Sequence, residues 1–293
     1  MEAQIDQLRI NFDNEALWTM NLALALVMFG IALEIKPSDF RQILRNPRAV
    51  LTGVCSQFLL LPALTFFLVW WWEPQPSFAL GMILVASCPG GNVSNFMSHL
   101  CGGNTALSVS LTAIATLLAV IMTPLNLQFW GSLYEPSAAL LTDVEINLWE
   151  MVRLVALLLG APLIAGMVLG HFKPKLAKHM AKLFKIVSLL FFVFLIFIAL
   201  YNNRDIFVDY VGLVFTLVFF HNISAFLLGY SSGRVMKLPF RDVKSITIET
   251  GIQNSGLGGM ALLAAFWGIW HLVSGLALSA LWGGIPVRKE SVL

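Results

Sequence analysis

Apolar residues run along this chain in stretches of about 20, the length a helix needs to cross a bilayer's hydrocarbon core. The ionisable residues are bunched between those stretches. The pattern predicts membrane segments at 17–35, 48–72, 77–99, 105–130, 150–170, 183–201 and 207–230, followed by a less regular stretch at 245–282. All are expected to be helices, because a helix satisfies its own backbone hydrogen bonds in lipid. Composition agrees: 58% of the 293 residues are apolar and 12% are charged, against about 25% charged in a soluble domain. A soluble enzyme, a nucleic-acid binder and a disordered protein are excluded. The net charge of +2 is uninformative as a total, and no linker composition divides the chain.

The placement of charge carries more. Lys36, Arg41, Arg45 and Arg48 fall in the 36–48 loop, and Lys173, Lys175, Lys178, Lys182 and Lys185 in the 171–185 loop. Arg234, Lys237, Arg241 and Lys244 fall in the 231–244 loop, with Arg288 and Lys289 in the tail. If the segments alternate, fifteen of the eighteen basic residues share one side. Positive loops stay in the cytoplasm, so the N-terminus is expected outside a cell or inner membrane. Trp18, Trp70, Trp71, Trp72, Trp130 and Trp149 all fall at the opposite boundary, as an interfacial aromatic belt would. The polar start, MEAQIDQLRINFDNEA, does not read as a cleavable signal peptide.

Two stretches break the apolar rule together with Gly and Pro: SCPGGNVSNFMSH (87–99) and TIETGIQNSGLGG (247–259). A broken helix exposes carbonyls on its N-terminal half, which suit a hard cation, and amides on its C-terminal half, which suit an anion. Matching interruptions in the two halves of a chain point to a secondary transporter's substrate site. Glu249 is the one carboxylate beside these interruptions, since Glu34 and Glu150 lie near segment ends. An ionisable residue at membrane depth is a functional candidate by default. Gln57 sits inside the second segment, and Ser108 and Thr112 lie one helical turn apart. His221-Asn222 and His271 read equally as packing-satisfied polar residues or as contacts. Cys55, Cys88 and Cys101 are too few and too scattered for a disulfide framework or a zinc site. No HExxH, GxSxG or Walker-type pattern occurs, and no nucleophile–base pair can be named, so an enzyme is not expected.

These residues resemble the bile acid:sodium symporter family, with its bacterial and plant-type relatives. The signatures are KPSDF (36–40), PGGNVSN (89–95), GGNTALSVSLT (102–112), ETGIQNSG (249–256) and WGIWH (267–271), covering roughly 17–282. The resemblance implies an all-α polytopic inverted-repeat transporter forming a single transport domain over 1–293. Panel-like helices (17–35 and 150–201) and core-like helices (48–130 and 207–282) would include two crossed, broken helices. It implies two Na⁺ as cargo. One site would use Ser94, Asn95, Ser108, Thr112 and Glu249. The other would use Gln57, Glu249, Thr250, Ile252 and Gln253, with Thr250 and Ile252 acting through backbone carbonyls. Substrate contacts would fall near Asn92, Asn254 and His271. The implied partner is an organic anion, bile acid-like or a small monocarboxylate such as pantoate or pyruvate, with no arginine pair in the candidate site to clamp a dicarboxylate. Alternatives are a proton- or ion-coupled exporter on the related fold and a transport-impaired substrate-binding variant.

Two features depart from the family pattern. Leu272 follows His271 where some bacterial members have Asn, which puts specificity in doubt more than transport. Between Gly256 and Met260 the chain is about a dozen residues short, and the 12 residues from Ser245 to Gly256 make about 18 Å of helix against a ~30 Å hydrocarbon core. A half-spanning segment followed by one full span, Met260 to Trp282, is expected; the extra N-terminal helix of some bacterial members has no counterpart. This predicts that sodium binding is retained while transport is impaired. Sodium-driven uptake in proteoliposomes equal to that of a relative with the longer second broken helix would overturn the expectation.

Overall fold

The computed structural model describes residues 46–138, 160–184, 204–253 and 261–283, with isolated positions within 25–33, 153–157 and 186–190. The predicted segments 17–35 and 183–201, the start of 150–170 and the 36–45 part of the first basic loop lie almost wholly outside the described residues.

The first long helix, α1 (Pro47–Trp72), opens with proline and is capped by Asn46, whose side chain accepts from Ala49 N. Its middle is a wide π-turn, Ser56–Leu60, which buries three consecutive side chains, Ser56, Gln57 and Phe58. Pro62 has no N–H to offer the Phe58 carbonyl four residues back; Asn126 Nδ2 donates to it instead at 3.0 Å.

The predicted 77–99 segment is two helices, α2 (Pro76–Ser87) and α3 (Asn92–Leu100). After a four-residue connection comes α4 (Thr105–Leu133), capped by Asn104. Then follow α5 (Ala161–Phe172), α6 (174–184) and α7 (Arg204–Val235). Two of the basic loops are therefore largely helical: 174–184 is a helix, and 231–244 holds the end of α7 and the start of α8 (Phe240–Gly251). The last described helix is α9 (Ala261–Gly283). Among the described residues, Pro47–Trp72, Thr105–Leu133, Gly212–Val235 and Phe266–Gly283 are long and apolar enough to cross a membrane. The fold of the described residues is all-helical.

The packing centres on α8. At 12 residues it is about 18 Å long, roughly half a bilayer core, and every residue from Asp242 to Gly251 is buried. It lies against α7, α3, α4 and α1. The closest approach is made by Gly229 and Gly233 of α7, one turn apart in a GxxxG pattern. A Cβ on Gly229 would come within 3.0 Å of the α8 backbone at Thr247 and Ile246, and Gly233 lies against Val243. In lipid there is no hydrophobic drive between helices, so such close backbone approach is a main source of association.

Away from α8 the core is mainly apolar, with buried polar residues such as Thr65, Thr123, Asn126 and His221 within it. Trp267, Val69, Phe78, Met82, Ile83, Val214 and Val218 form its largest cluster, where α1, α2, α7 and α9 meet. Lys244, a member of the 231–244 basic group, is fully buried inside α8; the charge pattern does not reveal the residue's environment.

Gly229→Leu should force α7 off α8 and destabilise the fold by about 1–3 kcal/mol or more. A lowered melting temperature in detergent is the expected outcome, with Gly212→Leu, which faces open space, close to wild type.

Candidate functional site

The two predicted interruptions meet. After α2 the chain is extended at Cys88 and again at Gly91; after α8 it leaves the helix at Ile252. Gly90 and Gln253 pair as an isolated antiparallel β-bridge. Breaking two helices inside an apolar body would strand backbone groups at a cost of several kcal/mol each. Here the neighbours satisfy them. Thr123 Oγ1 donates to Ser87 O at 2.7 Å, and Asn222 Nδ2 donates to Gly251 O at 2.8 Å. Gln253 Nε2 donates to Thr250 O at 2.8 Å, and Gly90 N donates to Gln57 Oε1 at 3.3 Å.

Glu249, one turn before the break in α8, is fully buried. Its Oε1 accepts from Ser94 Oγ (2.6 Å), Ser108 Oγ (2.5 Å) and Thr112 Oγ1 (3.1 Å); Oε2 lies 3.2 Å from Thr112 Oγ1. Asn95 Oδ1 is a further acceptor, 2.9 Å from Ser108 Oγ and 3.1 Å from Thr112 Oγ1. Ser94 Oγ also faces Gly91 O at 2.5 Å. Gly90 packs against the other carboxylate edge, where any Cβ would collide with Glu249 Oε2.

The hydrogen count is the chemically informative feature. Three hydroxyls bring three protons, yet the acceptors facing them are both carboxylate oxygens, an amide oxygen and a backbone carbonyl. The cluster is rich in oxygen and short of protons. Among the described residues no cationic side chain is bonded to Glu249, and no three His, Cys, Asp or Glu gather as a transition metal would want. Hard oxygens with one formal charge suit a small hard cation.

A second oxygen set lies on the other side of Gly90. The Gln57 and Gln253 amides are oriented by their hydrogen bonds to Gly90 N and Thr250 O. Gln253 Oε1 is left as a buried acceptor without a partner, and Gln57 Nε2 as a buried donor. Ser56 Oγ lies 3.0 Å from Thr250 Oγ1. Ile252 is buried and closes α8 through its N–H to Ile248 O at 2.9 Å.

The structure thus brings Ser94, Asn95, Ser108, Thr112 and Glu249 into one cluster and sets Gln57, Thr250, Ile252 and Gln253 beside it. Asn92 opens α3. Asn254 lies outside the described residues. His271 is buried on α9, its ring 6.5 Å from that of Trp267, and is not hydrogen-bonded to the cluster. Asn222 is fully satisfied, whereas His221 is paired through one ring nitrogen only, its Nδ1 being buried without a partner. His221 Nε2 lies 2.7 Å from Thr65 Oγ1, and Asn222 bridges Gly251 O to Ser274, whose Oγ donates to Asn222 Oδ1 at 2.6 Å. Ser56 was not singled out from sequence; its only signal was adjacency to Gln57.

Comparison with known proteins gives a consistent picture. Residues 21–210 match the Sodium Bile acid symporter family. The chain is 32% identical over 282 residues to the uncharacterized sodium-dependent transporter YocS of Bacillus subtilis, covering 93% of this chain and 85% of that protein. It is 30% identical to the probable sodium/metabolite cotransporter BASS1, chloroplastic, of Arabidopsis thaliana (90% of this chain, 66% of that protein). It is 27% identical to the human ileal sodium/bile acid cotransporter (81% and 67%).

Glu249→Gln keeps the shape, removes the charge and adds two N–H donors to a cluster short of protons. Its melting temperature in sodium-free, potassium-based buffer should rise by an amount on the order of one hydrogen bond, about 1 kcal/mol. A fall of that size would contradict the proton shortage.

Proposed function

The chain belongs to the sodium bile acid symporter family, and we propose that it couples the inward movement of sodium to that of an organic anion. It is a multi-pass membrane transporter of that family, not an enzyme. The single observation that carries the cation reading is the oxygen-rich, proton-poor cluster around Glu249, whose lone pairs face one another without enough hydrogens between them. In this reading one Na⁺ is held by Ser94, Asn95, Ser108, Thr112 and Glu249. A second is held by Gln57, Glu249, Gln253 and the carbonyls of Thr250 and Ile252. The bare Gln253 Oε1 supports the second site.

Sodium is cargo here. Two Na⁺ with one monovalent anion carry net +1, worth about 2.3 kcal/mol per 100 mV in addition to the ion gradients. Both ion sites share Glu249 and flank the Gly90–Gln253 bridge, so occupancy would order the meeting point of the two interruptions. Substrate affinity should then rise with sodium by linkage. The anion would be met near Asn92, Asn254 and His271, at the break. The names of the relatives, metabolite and bile acid cotransporters, make an organic acid the class of cargo. Panel-like helices at 17–35 and 150–201 would rock against the core containing α1–α4 and α7–α9, exposing the site to each side in turn. The basic ends, with the N-terminus opposite, would face the cytoplasm.

The test is uptake of radiolabelled taurocholate, pantoate and pyruvate into proteoliposomes under an inward sodium gradient. At least one should accumulate with sodium and not with potassium. Glu249→Ala and Gln253→Ala should each abolish that accumulation, and normal transport by both would show the site assignment wrong. Uptake driven by a pH gradient with no sodium requirement would replace sodium by a proton on Glu249.

A further inference from the structure

The connection between α3 and α4, residues 101–104, is only four residues long, and both helices it joins supply side chains to the Glu249 cluster. Ser94 and Asn95 lie on α3; Ser108 and Thr112 lie on the first turns of α4. The relative placement of these four groups therefore depends on how this connection is held. It is held by α8, the helix that carries Glu249.

Five hydrogen bonds make the attachment. Lys244 Nζ donates to Cys101 O at 2.7 Å, and Asn104 N donates to Arg241 O at 3.0 Å. Ser245 Oγ donates to Asn104 O at 2.9 Å, Asn104 Nδ2 donates to Asp242 Oδ1 at 2.7 Å, and Arg241 Nη2 reaches Gly103 O at 3.5 Å. Gly103 fits because it has no side chain: a Cβ there would collide with Ser245 Oγ.

The two buried charges are matched to helix ends. The Asp242 carboxylate binds Asn46 Nδ2 at 2.9 Å and Asn104 Nδ2 at 2.7 Å. These are the N-caps of α1 and α4, so their Oδ1 atoms are turned toward Ala49 N and Leu107 N. A negative charge thus sits at the positive ends of α1, α4 and α8 itself. Lys244 sits where carbonyls leave helices: Cys101 O after α3 and Trp282 O, 3.2 Å away, near the end of α9. Its ammonium also lies 5.2 Å from the Phe240 ring and 6.0 Å from the Trp282 ring. Both residues are buried.

We propose that Asp242 and Lys244 are positioning residues for the cation cluster. They pin the 101–104 connection to the N-terminal end of α8, so that the α3 and α4 oxygens stand in fixed register around Glu249, five residues beyond Lys244 on the same helix. This rests on the sodium reading above. Neither charge contacts the ion; each sets the spacing of the groups that do. Loss of either charge lets α3 and α4 shift against α8 and weakens sodium binding before it affects anything else at the site.

The experiment needs no substrate. The purified full chain in detergent is melted across a series of sodium chloride concentrations, with potassium chloride holding ionic strength constant, and the sodium concentration giving half the maximal shift is read. Lys244→Met and Asp242→Asn should move that midpoint about tenfold or more upward, the equivalent of one charged hydrogen bond. Lys244→Arg, which keeps the charge and its donors, should stay within about twofold of wild type. A purely structural role would lower the melting temperature in potassium and leave the sodium midpoint in place, and that result overturns the proposal. If neither Lys244→Met nor Asp242→Asn folds, Ser245→Ala removes one bond of the attachment and should shift the midpoint about threefold; an unmoved midpoint there overturns it equally. A wild type that melts alike in sodium and potassium removes the sodium reading itself, and this inference with it. A wild type that responds, with variants that respond at the same midpoint, removes only the inference.

Discussion

A carboxylate buried among helices with no cationic partner among the described residues is the constraint on which the rest of this structure depends. Glu249 has no exposed surface, and an unpaired charge in a low-dielectric interior is among the most costly features a fold can carry. Its surroundings are arranged around it. Three hydroxyls from two helices point at one oxygen, a glycine leaves room for the other, and the helix that carries it ends two residues later. The breaks at 88–91 and 252–253 bring oxygens to the carboxylate and its neighbours. An unbroken pair of helices would have kept those carbonyls in their own ladders.

Holding such a site requires that the helix ends beside it be tied down from outside. Helix α8 is short, polar and buried on all sides, an arrangement that lipid alone would reject. It persists because each of its ends is satisfied: Asp242 and Lys244 at the start, Asn222 and Gln253 at the finish. It persists also because Gly229 and Gly233 let α7 come close enough for packing to replace solvation. The apolar cluster around Trp267 supplies bulk contact elsewhere, but contact of that kind does not choose a register. The hydrogen bonds do. The π-turn in α1 belongs to the same logic: it turns Ser56 and Gln57 inward together, and Asn126 covers the Phe58 carbonyl that Pro62 cannot serve.

Much of this was legible one residue at a time. The helical segments followed from apolar length, the two interruptions from Pro and Gly beside amides, and Glu249 from being the lone carboxylate next to them. Ser108 and Thr112 were placed on one face by helical spacing, and the structure has both on Glu249. What local pattern missed was environment. Lys244 reads as one more basic residue in RDVK, yet it is buried between two carbonyls and two rings. Asp242, two residues earlier, carries no signal of its own in the sequence, yet it binds the N-cap side chains of two other helices. His221 could have been a contact or a packed residue; its pairing with Thr65, 156 positions away, decided which.

By itself, the sequence determined that this chain is a bundle of membrane helices, where those helices break, and which family it belongs to. Those properties depend on local length, periodicity and motif, which a chain carries before it folds. Only the tertiary structure decided that the two breaks pair as Gly90 with Gln253, that Glu249 and four oxygen-bearing side chains around it share too few protons, and that the N-terminal end of α8 holds the α3–α4 connection. Each of these is a relation between residues some 138 to 163 positions apart, set by how helices pack and which polar groups find partners. No local spacing encodes that.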